Sequence, residues 1–219
     1  VGGHGAILFD WDGTLIDSYP AGFLASMAVA ERFGIPFDRQ RFLETYSPNW
    51  YHTYRVVGLP ETEWDTADRI WLACYAQQVS ELYPFARDTL SVLRGSGYQL
   101  GIVTSGNRTR VQAELARFGL TETFAVVICH EDADEKKPHP QPLLNALRSL
   151  GRKAAETAYV GDRPEDVEMG ARAGAFTVAV ESQYSTRSVL EQASPNLLLP
   201  DAGHLPGHFG PLSEAALSF

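Results

Sequence analysis

Six side chains of the 219-residue chain combine the types and spacing that chemistry on an anionic substrate requires: Asp10, Asp12, Thr104, Lys137, Asp162 and Asp166. Each lies beyond a short apolar run. Asp10 and Asp12 follow AILF (6–9), Thr104 follows QLGIV (99–103), Lys137 lies in the loop after AVVIC (125–129), and Asp162 and Asp166 follow TAYV (157–160). If these runs are strands of one sheet, four separate segments deliver polar groups to one edge. Ligands of open α/β sheets bind there, outside the carboxyl ends of the strands. The four carboxylates bring −4 and Lys137 returns +1. Like charges about 4 Å apart repel by several kcal/mol at an intermediate dielectric, so the set calls for a divalent cation that takes oxygen ligands. A carboxylate such as Asp10 can act as a nucleophile and divide one hard transfer into two easier ones. Asp12 stands two residues on. In an extended backbone both carboxylates point the same way, which suits Asp12 to move protons beside Asp10.

The elements that must hold these groups read as alternating strands and helices. FTVAV (176–180) and LLL (197–199) extend the strand set. The runs are apolar throughout rather than alternating, the pattern of parallel strands buried on both faces. Helical periodicity covers 86–95, 108–118, 141–150 and 164–173, with Val111, Leu115 and Phe118 on one face of the second. Pro140 and Pro164 stand near helix starts, and Gly95, Gly119, Gly151 and Gly174 at helix stops. The expected fold is α/β, a doubly wound, mainly parallel, Rossmann-like sheet. Residues 18–84 break the alternation: they hold no strand pattern and read as helices at 20–33, 39–45, 48–57 and 61–81. The last carries Trp64, Ala67, Trp71, Tyr75 and Val79 on one stripe, which reads as the core of an inserted helical domain. The expected domains are therefore a core of 1–17 plus 85–219 and an insert of 18–84, with hinges near Asp17–Tyr19 and Tyr83–Phe85. Pro200–Pro211, rich in Gly and Pro, reads as an irregular surface segment before a short terminal helix.

A net charge of −9 and a pI near 5.1 argue against nucleic acid, whose phosphates demand a basic surface. No Lys/Arg cluster marks a membrane surface site, and no apolar run approaches the roughly 18 residues of a membrane helix. VGGHGAILFD, at the start, lacks the charged and apolar regions of a signal peptide. Cys74 and Cys129 share no metal-type spacing and read as buried thiols in a reducing compartment. A hydrophobic fraction of 44% supports a sizeable core. These features lead to the expectation of a soluble cytoplasmic enzyme, monomer or homodimer, with no nucleic-acid or membrane partner.

Asp10-Trp11-Asp12-Gly13-Thr14-Leu15 resembles the first signature of the haloacid dehalogenase superfamily. Thr104-Ser105-Gly106-Asn107 looks like its second, Lys137-Pro138 its third, and Gly161-Asp162-Arg163-Pro164-Glu165-Asp166 its fourth, in the same order and spacing. The helical insert after the first signature resembles the small cap of the phosphoglycolate-phosphatase-like branch. The resemblance implies a Mg²⁺-dependent phosphatase of a small phosphorylated metabolite, working through an aspartyl-phosphate. Asp10 would be the nucleophile and Asp12 the acid and base. Mg²⁺ would be held by an Asp10 carboxylate oxygen, the Asp12 main-chain carbonyl and Asp162, with Asp166 acting through water or orienting Lys137. Thr104, the amides of Ser105 and Gly106 ahead of a helix start, and Lys137 would bind the transferring group.

Simpler readings compete with several of these assignments. Asp-Gly is a turn dipeptide, the Thr104–Asn107 stretch a possible helix cap, and Asp166 a residue that favours a helix N-terminus. The chain has three lysines, Lys136, Lys137 and Lys153, and Pro138 marks Lys137 rather than its neighbour. Arg108 and Arg110 read most simply as solvated. Trp50, Tyr51, His52, Tyr54 and Arg55 stand as candidates for a specificity surface, and Arg32, Arg39, Arg41, Arg55 and Arg69 allow an acidic substrate such as phosphoglycolate. Among other activities of the superfamily, dehalogenases lack the counterpart of Asp12. Phosphonatases need a cap lysine, and 17–85 contains none. Sugar phosphomutases usually carry a His where Gly22 stands. A catalytically silent binding protein is the remaining alternative, distinguished by assay with and without EDTA.

Overall fold

The computed structural model describes residues 5–212. In chain order the elements are β1 (Ala6–Phe9), β2 (Ile16–Asp17), α1 (Tyr19–Arg32), α2 (Arg39–Thr45), α3 (Trp50–Val56), α4 (Trp64–Tyr75), β3 (Glu81–Leu82), α5 (Ala86–Gly95) and β4 (Gln99–Val103). There follow α6 (Arg108–Arg117), β5 (Val126–Ile128), α7 (Gln141–Leu150), β6 (Thr157–Gly161), α8 (Pro164–Ala173), β7 (Phe176–Val180), α9 (Arg187–Gln192) and β8 (Leu197–Leu199). The chain divides into two compact units, Val1–Ile16 with Leu82–Phe219, and Asp17–Glu81.

The first unit is built on a six-stranded parallel sheet of order β5-β4-β1-β6-β7-β8. The fold is the doubly wound α/β architecture that the apolar runs imply. Side chains of β1 alternate between two cores, as a period of two dictates. Ile7 and Phe9 join Leu90, Leu93, Val111 and Leu115 of α5 and α6 on one face. Leu8 joins Leu143, Leu147, Met169 and Tyr159 on the other, under α7 and α8. The same alternation points Asp10 away from the Phe9 face. The chain winds from β1 outward to β5, then returns to the far side of β1 at β6. The ends of β1 and β6 therefore flank the topological switch point, where ligands bind in such sheets.

Helix stops behave as their residues require. Gly151 and Gly174 end α7 and α8 in the left-handed conformation, at φ 64° and 84°. Pro164 opens α8 at its first turn, where a missing N–H is harmless. The stretch after β8 departs from expectation. Residues Ala202–Gly207 form a 3₁₀ turn, and Ala202, Leu205 and Phe209 are buried in the sheet core. The expected terminal helix lies outside the described residues. Helix α9 carried no clear periodicity in the sequence.

The second unit is helical, as its pattern implies, with two differences. Helix α4 stops at Tyr75, so Val79 is not on its stripe and is 73% exposed. Two-residue strands, β2 and β3, pair with each other, and β3 falls within 18–84, which showed no strand signal. Trp64, Ala67, Trp71 and Tyr75 do form the interior of this unit, Trp71 and Tyr75 stacked at 4.8 Å. Tyr51 stacks on Trp64 at 4.9 Å and Tyr54 is buried with its hydroxyl 2.9 Å from Asp68. Packing within their own unit thus accounts for Tyr51 and Tyr54, while His52 is exposed. Among the described residues no helix is long and apolar enough to cross a membrane.

Candidate active site

Asp10 leaves the end of β1, where its amide donates to Val160 O of β6 at 2.8 Å. That register sets it beside Asp162, the first residue after β6. Lys137 comes from the loop before α7 and is 2% exposed. Its ammonium donates to Asp10 Oδ1 and to Asp166 Oδ1, each at 2.7 Å. Carboxylate oxygens of Asp10, Asp162 and Asp166 lie within 4.8 Å of one another, all three residues buried. Four of the six residues singled out in the sequence therefore meet at the switch point. Asp166 does both things open to it. Its Oδ2 accepts from the Arg163 amide at 3.1 Å at the start of α8, and its Oδ1 holds Lys137. Lys136, the rival lysine, instead donates to carbonyls of its own loop, those of His130 and Ala133.

The cluster has more negative charge than Lys137 can balance. Burial, with the charges of Asp166 and Asp12, outweighs Lys137 and pushes the Asp10 carboxyl up to about 7. Burial and the charges of Asp10 and Asp166 drive Asp162 well above the usual carboxylate range. Burial alone would lower the Lys137 ammonium, but Asp10 and Asp166 overcome it and hold it above its ordinary value.

The loop after β4 supplies neutral groups. The Thr104 amide donates to Ile128 O at 2.9 Å, and the buried Thr104 hydroxyl accepts from the Gly106 amide at 3.0 Å. The Gly106 N–H, expected to face a ligand, is thus engaged within its own loop. Ser105, half-buried, has no intramolecular partner for its amide or hydroxyl among the described residues. Asn107 caps α6, accepting from the Arg110 amide at 3.3 Å, while Glu131 accepts from the Arg108 amide at 3.0 Å.

Asp12 departs from the expected grouping. Its side chain lies outside the three-carboxylate cluster and is gripped by Arg110, Nη1 to Oδ1 at 2.9 Å and Nη2 to Oδ2 at 2.6 Å. Arg110 is not a solvated residue: its side chain is 10% exposed and also pairs with Glu114. Arg108 likewise pairs with Asp132. Two further residues carried no sequence signal. The Tyr159 hydroxyl, on β6, lies 2.8 Å from Val103 O and 3.1 Å from Asp166 Oδ1, and its ring stands 5.5 Å from the Lys137 ammonium. Ser182, beyond β7, donates to Asp162 Oδ2 at 2.5 Å.

A family model described as haloacid dehalogenase-like hydrolase matches residues 7–180, a span that takes in all of these groups except Ser182. The chain belongs to that family. Among relatives of these hydrolases, "Pyrophosphatase PpaX" of Bacillus mycoides (strain KBAB4) is 32% identical over 203 residues, covering 88% of this chain and 91% of that one. A "predicted phosphoglycolate phosphatase" from Haemophilus somnus shares the fold with TM-score 0.83 at 24% identity, over 95% of this chain and 99% of the other. CbbY from Rhodobacter sphaeroides, solved in complex with phosphate, does so with TM-score 0.79 at 22% identity, over 99% and 100% of the two chains. At these identities the solved structures establish the fold alone.

The donor set suits a hard divalent cation in this haloacid dehalogenase-like hydrolase. It offers oxygen only, in a buried cluster where desolvation first, and neighbouring carboxylates second, raise the Asp10 and Asp162 carboxyls. Gly13, at φ 79°, belongs to the same cradle, since a Cβ there would collide with the Asp162 carboxylate. Lys137 and the Arg163 amide occupy both oxygens of Asp166, whereas Lys137 takes one of Asp10.

Proposed function

We propose that the protein is a Mg²⁺-dependent phosphatase that releases phosphate from a small phosphomonoester through an aspartyl-phosphate on Asp10. The observation that carries this reading is the buried Lys137 ammonium joined to Asp10 and Asp166, with Asp162 alongside. Such a centre combines an activated carboxylate with positive charge placed to meet the transferring group.

Asp10 attacks the phosphorus in line with the leaving oxygen, whose bond to phosphorus breaks as Asp12 hands it a proton. Asp12 then takes a proton from water as that water attacks the aspartyl-phosphate, which returns the Asp10 carboxylate and releases phosphate. Lys137, the Thr104 hydroxyl and the amides of Ser105 and Gly106 are assigned to the non-bridging oxygens, the last once it exchanges its bond to Thr104. Asp10, the Asp12 carbonyl and Asp162 are assigned as metal ligands, and Asp166 as the residue that orients Lys137. When bound, Mg²⁺ supplies +2 against the carboxylates and the phosphoryl group. The unit Asp17–Glu81 is read as the cap of a catalytic core, selecting the remainder of a phosphorylated metabolite. The enzyme is taken to be cytoplasmic, a monomer or homodimer, acting on neither nucleic acid nor membrane. The name of the Bacillus relatives adds pyrophosphate to the substrates worth assaying.

Phosphate release from a panel of metabolite monoesters and pyrophosphate, in Mg²⁺ and in EDTA, tests the proposal. Turnover is expected in Mg²⁺ only. Asp10→Asn should lower kcat at least about a thousandfold, and Asp12→Asn should trap ³²P on Asp10. Undiminished hydrolysis in EDTA, or ³²P found on Asp12, would overturn it.

A further inference from the structure

We infer that Arg110 is the positioning residue for Asp12, held in that role by Glu114 and Trp11. This rests on the phosphatase reading above and adds a residue to it. The guanidinium meets the Asp12 carboxylate fork on fork, at 2.9 and 2.6 Å. Two parallel bonds of this kind set the plane and direction of a carboxylate, which a single ammonium would not. The guanidinium is anchored from behind: Glu114, one turn further along α6, accepts from Nη1 at 3.1 Å. Glu114 is anchored in turn by the Trp11 indole, whose Nε1 donates to it at 2.8 Å. Trp11 precedes Asp12 in the chain, so the network closes on itself through one peptide unit.

Burial makes this ring more than a surface pair. The side chains of Arg110, Glu114 and Asp12 are 10%, 9% and 16% exposed. Burying three charges is weak as a route to stability, because desolvation offsets most of the attraction. The arrangement does over-determine one side-chain direction, and that side chain is the proton carrier of the proposed reaction. Glu114 has a second effect. Arg110 is shared between two carboxylates, so the guanidinium stays on Asp12 instead of being drawn to an arriving phosphoryl group. Gly106 completes the seat, since a Cβ there would run into the guanidinium.

A residue acting through Asp12 affects the steps that need proton transfer and spares those that do not. Arg110→Ala, Asp12→Asn and the double variant are compared with wild type in saturating Mg²⁺ on an alkyl phosphate and on p-nitrophenyl phosphate. With the alkyl ester, whose leaving oxygen needs a proton, Arg110→Ala should lower kcat about 100-fold. KM should move less than about threefold. With p-nitrophenyl phosphate the initial burst of nitrophenolate should persist near the wild-type rate while steady turnover falls. Adding Arg110→Ala to Asp12→Asn should change nothing further. Arg110→Lys should recover part of the loss, and so should guanidinium in solution with Arg110→Ala. If Arg110→Ala does not fold, Arg110→Lys and Glu114→Gln carry the same comparison. Equal losses on both esters including the burst, full additivity with Asp12→Asn, or no loss at all would overturn the inference while wild type remains active. A wild-type protein that turns over neither ester overturns the phosphatase reading and this inference with it.

Discussion

Lys137 shows how much one side chain can decide. Its ammonium is the cation on which two buried carboxylates depend, at 2.7 Å each. Removing one partner of a buried ion pair typically destabilises by about 3–5 kcal/mol, because the remaining charge is left uncompensated. Lys137→Met should therefore lower the urea midpoint substantially in the absence of metal. The loss should be smaller at pH 5 than at pH 8, because Asp10, raised to about 7, is protonated at the lower pH and asks for no counter-charge. A loss independent of pH would show that the ammonium is not what balances Asp10. The residue was legible in the sequence through Pro138. Tyr159 was not, because a tyrosine in an apolar strand looks like core until its hydroxyl is seen beside Asp166. Arg110 was misread for a related reason: α6 periodicity says which face is apolar, not what the adjoining polar residues meet.

At the scale of elements, the local chemistry of starts and stops carried the reading well. Gly151 and Gly174 end their helices in the left-handed conformation, where a Cβ is strained. Gly174→Ala should destabilise by about 1 kcal/mol, since the φ of 84° is wrong for alanine and nothing crowds the site. Urea titration checks this, and activity at low temperature should be unchanged. Elements set by pairing rather than by local propensity were not legible. The two-residue strands β2 and β3 have no periodicity to detect and exist because they meet each other. Val79 fits the spacing of the α4 stripe yet lies beyond the last helical turn. The Gly/Pro-rich stretch after β8 reads as an irregular surface segment, but Leu205 and Phe209 are buried in the core.

For the whole molecule, the acidic centre links folding, protons and metal. The ordinary pKa of Asp10 is 3.8 and its folded value about 7. Between these values the folded chain holds a proton that the unfolded chain has lost. Stability in EDTA should accordingly fall as pH rises from about 4 to about 7, and Asp162, raised in the same direction, adds to the fall. Under the proposed Mg²⁺ dependence, a divalent cation would take the place of those protons. Mg²⁺ should raise the melting temperature much more at pH 8 than at pH 5, and its binding should release protons below neutrality. Melting curves across this range, with Mg²⁺ and with EDTA, check both statements. A Mg²⁺ effect equal at all pH values would mean that the ion binds elsewhere.

The amino-acid sequence alone determined the six strands of the main sheet and the helices between them as far as β7, the doubly wound class, the family signatures and the edge of the sheet at which the polar residues gather. These are short-range matters: apolar runs, helical periods, and Gly or Pro where the backbone needs them. The tertiary structure decided which charges touch. Asp10, Asp162 and Asp166 close on Lys137, whereas Asp12, two residues from Asp10, turns instead to Arg110 on α6. Spacing along a chain sets only a side chain's nominal direction. Its partner is chosen by the register of β1 against β6 and by how α6 lies over the sheet, and neither is written in any local stretch of residues.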